Sequence, residues 1–339
     1  MVSPNPQLPT PNPPSVTQPS HSTVAALVDF NRQAIARALN LLEDRRPNRQ
    51  VQALTLLDTL STLPASAHVV GLTGPPGVGK SSLISRLIEP QVQEGRRVAI
   101  IAVDPSSKVS GGALLGDRGR MQLPAQVYAR SYAARDRLGG LSREAFSAVF
   151  LLRHCCDVIL VETVGVGQSE TDITALADTT VLVVQPFSGD LLQFIKAGVM
   201  EIPDILVVNK ADNQTLAQKA LSDTQAALAL AQRPTPPESE VWDSPVLAVS
   251  AVTNLNMDIL NQTLRAHWQH LQATASLEKR RAAQNLEWGI GEILHEVGQR
   301  GLAALGGVEG MRAAWHRQPA HWSVVRKLSA LLERVQYRT

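Results

Sequence analysis

Apolar residues along the chain follow two patterns. The first is a series of short, unbroken runs: Val69–Thr73, Val98–Val103, Val158–Val161, Thr180–Val184, Ile205–Val208 and Val246–Val249, with an extended stretch at Val127–Tyr132. Runs that do not alternate with polar residues predict strands covered on both faces. The second pattern repeats every three or four residues. Val24, Leu27, Val28, Ile35, Leu39 and Leu42 predict one amphipathic helix capped by Ser22 or Thr23. Pro47 opens a second, which carries Val51, Leu54, Leu57 and Leu60 and stops before Pro64, so residues 22–64 read as a helical hairpin. Helices are also predicted between the runs, at Ser81–Glu94, about Ser142–His154, about Gln214–Ala231 and Met257–Leu271. Strand and helix alternating over 65–273 predict an α/β domain with a mostly parallel, doubly wound sheet. Residues 274–339 predict a helical extension broken near Gly306-Gly307 and Pro319. Its stripes, Leu286, Ile290, Ile293, Leu294 and Val297, then Val324, Leu328, Leu331 and Val335, suit ordinary core and a dimerisation arm equally.

Composition narrows the class. The 339 residues are 44% apolar with a net charge of +2, which suits a large globular domain and offers no basic surface for nucleic acid. No apolar run approaches the roughly 20 residues of a membrane helix. The first 20 residues hold seven prolines and no Lys or Arg, which predicts a disordered tail over 1–21 rather than a targeting peptide. The two cysteines, Cys155 and Cys156, are adjacent, with neither disulfide nor zinc spacing, as expected in a reducing, cytoplasmic compartment.

Chemistry enters at the ends of the runs, where doubly wound sheets bind ligands. Gly74 to Ser81 spells G-x-x-x-x-G-K-S between a strand and a helix. The stretch Gly74-Pro75-Pro76-Gly77-Val78-Gly79-Lys80-Ser81-Ser82 predicts a phosphate cradle. Its glycines let backbone N–H groups turn inward, and the following helix adds its positive end. Lys80 reaches the terminal phosphates and the Ser81 hydroxyl ligates magnesium. Asn209-Lys210-Ala211-Asp212 reads as the guanine-selecting N-K-x-D, with Ser250-Ala251 supplying a backbone contact beside the base. The Asp212 carboxylate accepts both N–H groups of the guanine edge, whereas adenine faces it with an unprotonated ring nitrogen, so GTP/GDP is expected over ATP. Glu162 to Gly165 stands where switch GTPases place Asp-x-x-Gly, with Gly165 meeting the terminal phosphate and Glu162 on the magnesium side. Asp104 and Asp117 are further metal candidates, and Gln168 and Glu170 are candidates for orienting water.

The phrases GPPGVGKSS, AVDPSS, SGGALLGDRGRM, VETVGVGQSE, LLQFIKAGVMEIPD and VVNKAD, in this order, resemble the MeaB/ArgK family of GTPases, which includes the MMAA-like proteins. The likeness continues into EKRRAAQNLEWGIGEIL. It implies a P-loop NTPase fold of the SIMIBI GTPase class. It also implies a homodimeric, magnesium-dependent GTPase chaperone that gates cofactor delivery to a cobalamin-dependent acyl-CoA mutase and protects it. Carried over by motif, Lys80 and Ser81 bind phosphate and magnesium, Asp104, Asp117 and Glu162 form the acidic set, and Gln193 and Lys196 match a third switch facing the partner. Two other readings compete. A nickel-type metal-insertion GTPase would need a His/Cys cluster, and an amino-acid-transport ATPase/kinase of the ArgK type would need an arginine-rich lid. Arg118, Arg120, Arg130, Arg135 and Arg137 are the local arginines.

Overall fold

A computed structural model describes residues 21–105, 123–134, 142–163, 173–186, 203–230 and 242–336. Seven strands form one sheet: β1 (His68–Thr73), β2 (Val98–Pro105), β3 (Val127–Ala134), β4 (Val158–Glu162), β5 (Thr179–Val184), β6 (Ile205–Val208) and β7 (Val246–Ala248). They run in the order β3-β2-β4-β1-β5-β6-β7, and every pairing is parallel. Each apolar run of the sequence is thus a strand, and the extended stretch at 127 is the edge strand β3.

The helices are α1 (His21–Val28), α2 (Arg32–Glu43), α3 (Pro47–Ser61), α4 (Lys80–Gln93), α5 (Arg143–Leu152), α6 (Gln214–Leu230), α7 (Met257–Ala273), α8 (Ser276–Ala304), α9 (Gly307–His316) and α10 (Val324–Gln336). Strand residues alternate between two cores, as pleating requires. Val69 joins α2, α3 and α5 on one side, while Val70 and Leu72 join Leu83, Ile84 and Leu87 of α4 and Leu260 of α7 on the other.

The amino-terminal segment differs from the expected hairpin. The single helix expected from Ser22 to Leu42 is broken in two, so three helices precede β1. Phe30 sits at φ 57°, and the Asn31 side chain accepts from the Gln33 and Ala34 N–H groups, starting α2 afresh. A short polar side chain that satisfies the first free N–H groups makes a new start cheaper than continuing. Within α8, Gly298 leaves helical geometry (φ 65°, ψ −170°), a bend the sequence reading did not foresee.

The stripes of the carboxyl-terminal extension are buried within the chain itself: Ile293, Leu328, Leu331 and Val335 lie in the same core as α2, α3 and α5. The α8 Trp288 ring stacks on Phe146 of α5 at 4.0 Å. Asp58 of α3 accepts from the Ser323 N–H and hydroxyl, at 2.9 and 2.7 Å, and from Arg326 of α10. The two ends of the chain therefore pack as one helical layer.

The start of α8 is bolted to the amino ends of the central strands. Arg281 donates to both oxygens of Asp178, at 2.8 and 2.7 Å, and to the carbonyls of Ala65 and Ala67. Arg280 forms a two-pronged bridge to Asp204, at 2.9 Å on each arm. Burial alone would push both carboxyls up. For Asp178, Arg281 and Arg153 more than offset it, and for Asp204, His267 and Arg280 do, so both stay below the usual carboxylate range. Beside them, Thr179 Oγ1 links His68 Nε2 at 2.6 Å and His267 Nδ1 at 2.7 Å.

Candidate functional site

The site stands at the opposite, carboxyl ends of the strands. At the end of β1 the chain turns through Gly74, Gly77 and Gly79, at φ 139°, 78° and 96°. A side chain at Gly74 would run into the Val183 carbonyl of β5, and one at Gly79 into the Asn209 amide. Backbone freedom and close approach therefore both require glycine there. Gly79 caps α4 without any side-chain hydrogen bond, which leaves the first N–H groups of the helix facing the loop. Val78 is fully buried and pins the loop to the core. Lys80 Nζ donates to the Gly74 and Pro75 carbonyls at 2.7 and 3.0 Å, so its ammonium is held over the mouth of the loop. Pro75, Pro76, Ser81 and Ser82 complete the turn and the first positions of α4 as the motif predicts.

On the metal side, Leu72 of β1 stands in register with Glu162 of β4, and the Ser81 hydroxyl donates to Glu162 Oε1. A serine hydroxyl and a carboxylate meeting at a helix start are hard oxygen donors of the kind magnesium takes. Thr163 Oγ1 donates to Thr73 Oγ1 at 3.2 Å, tying the end of β4 to that of β1. Asp104 is the penultimate residue of β2, in register with Ala133 of β3. The remaining predicted groups, Asp117, Gly165, Gln168, Glu170, Gln193 and Lys196, lie outside the described residues.

On the base side, β6 runs into Asn209 and Lys210, and Lys210 adopts φ 59°. Asn209 joins the parts of the site. Its amide donates to the Val78 carbonyl at 2.7 Å, and its Oδ1 accepts from the Ala251 N–H at 3.3 Å. The Ser250 hydroxyl donates to Asp212 Oδ1 and accepts from the Thr253 N–H at 3.1 Å, which fixes the carboxylate that would read guanine. The structure thus brings Gly74 to Ser82, Glu162, Asn209 to Asp212, and Ser250-Ala251 together at one end of the sheet.

Two contributors escaped the sequence reading. Gln185, just past β5, accepts from Lys210 Nζ at 2.7 Å, and Arg86 of α4 donates to the Ala251 carbonyl at 2.9 Å. Neither belongs to a spelled motif. Only the helical position of Arg86, two turns beyond the phosphate loop on the way to α7, could have drawn notice.

The family described as methylmalonyl Co-A mutase-associated GTPase MeaB matches residues 35–305. A protein of Pyrococcus horikoshii named as a GTPase is 42% identical over 269 residues, covering 78% of this chain and 83% of its own. The mitochondrial methylmalonic aciduria type A homolog of Caenorhabditis briggsae is 33% identical over 286 residues, 80% of this chain and 69% of its own. Among solved structures, the LAO/AO transport system kinase superposes with a TM-score of 0.67 at 27% identity, over 93% of this chain and 97% of that one. The matched span takes in the glycine loop at 74–81, the end of β6 and all of α8, and the chain therefore belongs to the MeaB family of methylmalonyl-CoA mutase-associated GTPases.

Proposed function

We propose that this GTPase is a chaperone that gates loading of the cobalamin cofactor into an acyl-CoA mutase of the methylmalonyl-CoA mutase type, and protects that mutase from inactivation. The observation that carries the nucleotide half is Asn209, one side chain bonded to the phosphate loop at Val78 and to the base loop at Ala251. Binding a base then bears on the geometry of the phosphate site. The mutase half is supported by the family match and by the name of the worm relative.

In the reaction, Lys80 leaves the Gly74 and Pro75 carbonyls for the β- and γ-phosphates, where a full negative charge holds it more strongly than two carbonyl dipoles. The backbone N–H groups of the loop and of the α4 start bind the phosphate oxygens. Ser81 and Glu162 separate to hold magnesium, with Asp104 and Asp117 as further carboxylates on that side. Magnesium held by these groups would supply charge neutralisation on the phosphates while a water attacks in line. Gln168 orients that water. Gln193 and Lys196 serve the contact with the mutase. The chain works as a homodimer, which sedimentation tests directly. Intrinsic turnover is slow and rises on contact with the mutase. Adding purified methylmalonyl-CoA mutase should raise the GTP hydrolysis rate, and no change in rate or nucleotide affinity overturns the proposal.

The likeness to the LAO/AO transport system kinase favours a second reading, phosphoryl transfer to an acceptor. Labelled γ-phosphate recovered on an added acceptor, rather than as free phosphate, would select it. A metal-insertion role finds no support in the cysteines, since burial pushes the Cys155 thiol up to about 12 and Cys156 higher than its ordinary value too. Thiols so held are poor metal ligands.

A further inference from the structure

We propose that Arg86 sets guanine selectivity from the phosphate side of the site, by holding the Ala251 carbonyl and thereby the Cα of the residue whose own N–H, in the preceding peptide, faces the purine 6-position. The inference rests on the GTP reading above and adds a specificity-determining positioning residue to it.

Ala251 is clamped on both sides. Its N–H is held by Asn209 Oδ1 at 3.3 Å and its carbonyl by Arg86 Nε at 2.9 Å. The next residue, Val252, is 75% exposed, so the loop passes directly from this clamp into solvent. Arg86 is itself fixed, because its Nη1 donates to Glu89 Oε1 one turn on at 3.2 Å. The planar guanidinium hands its Nε–H to the carbonyl and an Nη1–H to the carboxylate from two nitrogens held in one rigid fork, a geometry that the single ammonium of lysine does not reproduce. Further along the same seam, Gln91 donates to Asn261 at 3.2 Å and Arg265 pairs with Glu94. The helix that begins in the phosphate loop is thus zipped to the helix that begins just after the base loop.

Base chemistry gives the clamp its meaning. Asp212 accepts from guanine N1–H and the 2-amino group, and the neighbouring position on the ring is O6, an acceptor. Ser250 ties Asp212 to the Ala251 peptide, whose N–H is a donor. Its bond to Asn209 Oδ1 is long, at 3.3 Å, so a guanine O6 brought alongside would take over that N–H, whereas the 6-amino group of adenine would oppose it, since two donors meeting leave both unsatisfied. The discrimination holds only while Ala251 keeps its place, and the Arg86 bond to the carbonyl on the far side of its Cα restrains that residue. Arg86 also borders an open cleft of about 380 Å³ between α4 and α7, so shortening it leaves no closed void and the fold should survive.

The test uses the full chain with magnesium and four triphosphates: GTP, ITP, 2-aminopurine riboside triphosphate and ATP. GTP and ITP carry O6, and the other two do not. Wild-type preference for GTP over ATP checks the underlying reading separately. In Arg86→Gln, affinity for GTP and ITP should fall about tenfold, roughly one charge-assisted hydrogen bond. Affinity for the two nucleotides lacking O6 should stay within about twofold. Arg86→Lys, which keeps the charge, should recover part of the loss while still falling short of wild type. An equal loss for all four nucleotides, or no loss for any, overturns the proposal by reducing Arg86 to a scaffold contact. Thermal melting of each variant confirms that the folded protein is being measured.

Discussion

Arg281 grips Asp178 across 103 residues of sequence, with two N–H···O bonds of 2.8 and 2.7 Å to a fully buried carboxylate. The Val69 N–H donates to that carboxylate as well, at 2.8 Å, and Arg153 stands 3.9 Å away. Strand β1, the turn before β5 and helix α8 therefore meet on one charge. Removing a partner from such a pair leaves an uncompensated buried ion, at a cost of about 3–5 kcal/mol. Arg281→Ala should accordingly lower the unfolding free energy from urea titration by that amount, and the midpoint with it, with GTP affinity of the remaining folded protein unchanged. A midpoint close to wild type would show that Arg153 and the Val69 N–H suffice.

One buried histidine, His68, and one half-buried, His154, make stability depend on pH. Burial pushes His68 down to about 3 and His154 down to about 4. In the unfolded chain both titrate near the ordinary value of about 6.5. Below that pH the unfolded state takes up protons that the folded state refuses, so stability is full above about 6.5 and falls as pH drops toward 4. The slope should approach 1.4 kcal/mol per pH unit for each histidine, as an order of magnitude. Urea titrations between pH 8 and 4.5 measure it, and His68→Gln should remove about half the slope. The depressed carboxyls of Asp178 and Asp204 contribute only at lower pH, below about 4, where the unfolded carboxyls begin to protonate.

Asn209→Ala deletes the bond to Val78 and the one to Ala251 together. It leaves a buried carbonyl without its donor, worth about 1–3 kcal/mol. GTP and GDP should both bind at least tenfold more weakly by calorimetry, while unfolding shifts less than in Arg281→Ala. Equal affinity in variant and wild type would mean that the two loops hold themselves in place.

The Ser81–Glu162 contact predicts a metal phenotype separable from nucleotide binding. Glu162→Gln should need roughly 10–100-fold more magnesium for half-maximal hydrolysis. Ser81→Ala should lose about 100-fold in kcat. GDP binding in the presence of a chelator should be close to wild type in both. Were chelator-resistant GDP binding lost as well, these side chains would be shaping the phosphate loop rather than holding the ion.

Much of the molecule was legible before any coordinates. Each apolar run became a parallel strand because a strand buried on both faces has no room for a polar residue, a constraint acting position by position. The glycine loop was nearly as local, since glycine at 74 and 79 answers to backbone angles, to a carbonyl on the adjacent strand β5 and to the Asn209 amide just past β6. The break at Phe30 is a case where periodicity misled. The apolar spacing runs through it, and the decision lay with one Asn31 side chain able to cap.

What the sequence determined by itself is the sheet and the positions of the glycine loop and the N-K-x-D motif at its strand ends, because these depend on neighbours in the chain. What only the tertiary structure decided is how they are held. Asn209 on Val78, Arg86 on Ala251 and Arg281 on Asp178 pair residues from separate elements, and no short-range pattern records which side chains the fold will bring within 3 Å. The stripes of α8 and α10 belong to the same class: their spacing announces an apolar face, and only packing shows that this face is buried against the chain's own α2, α3 and α5.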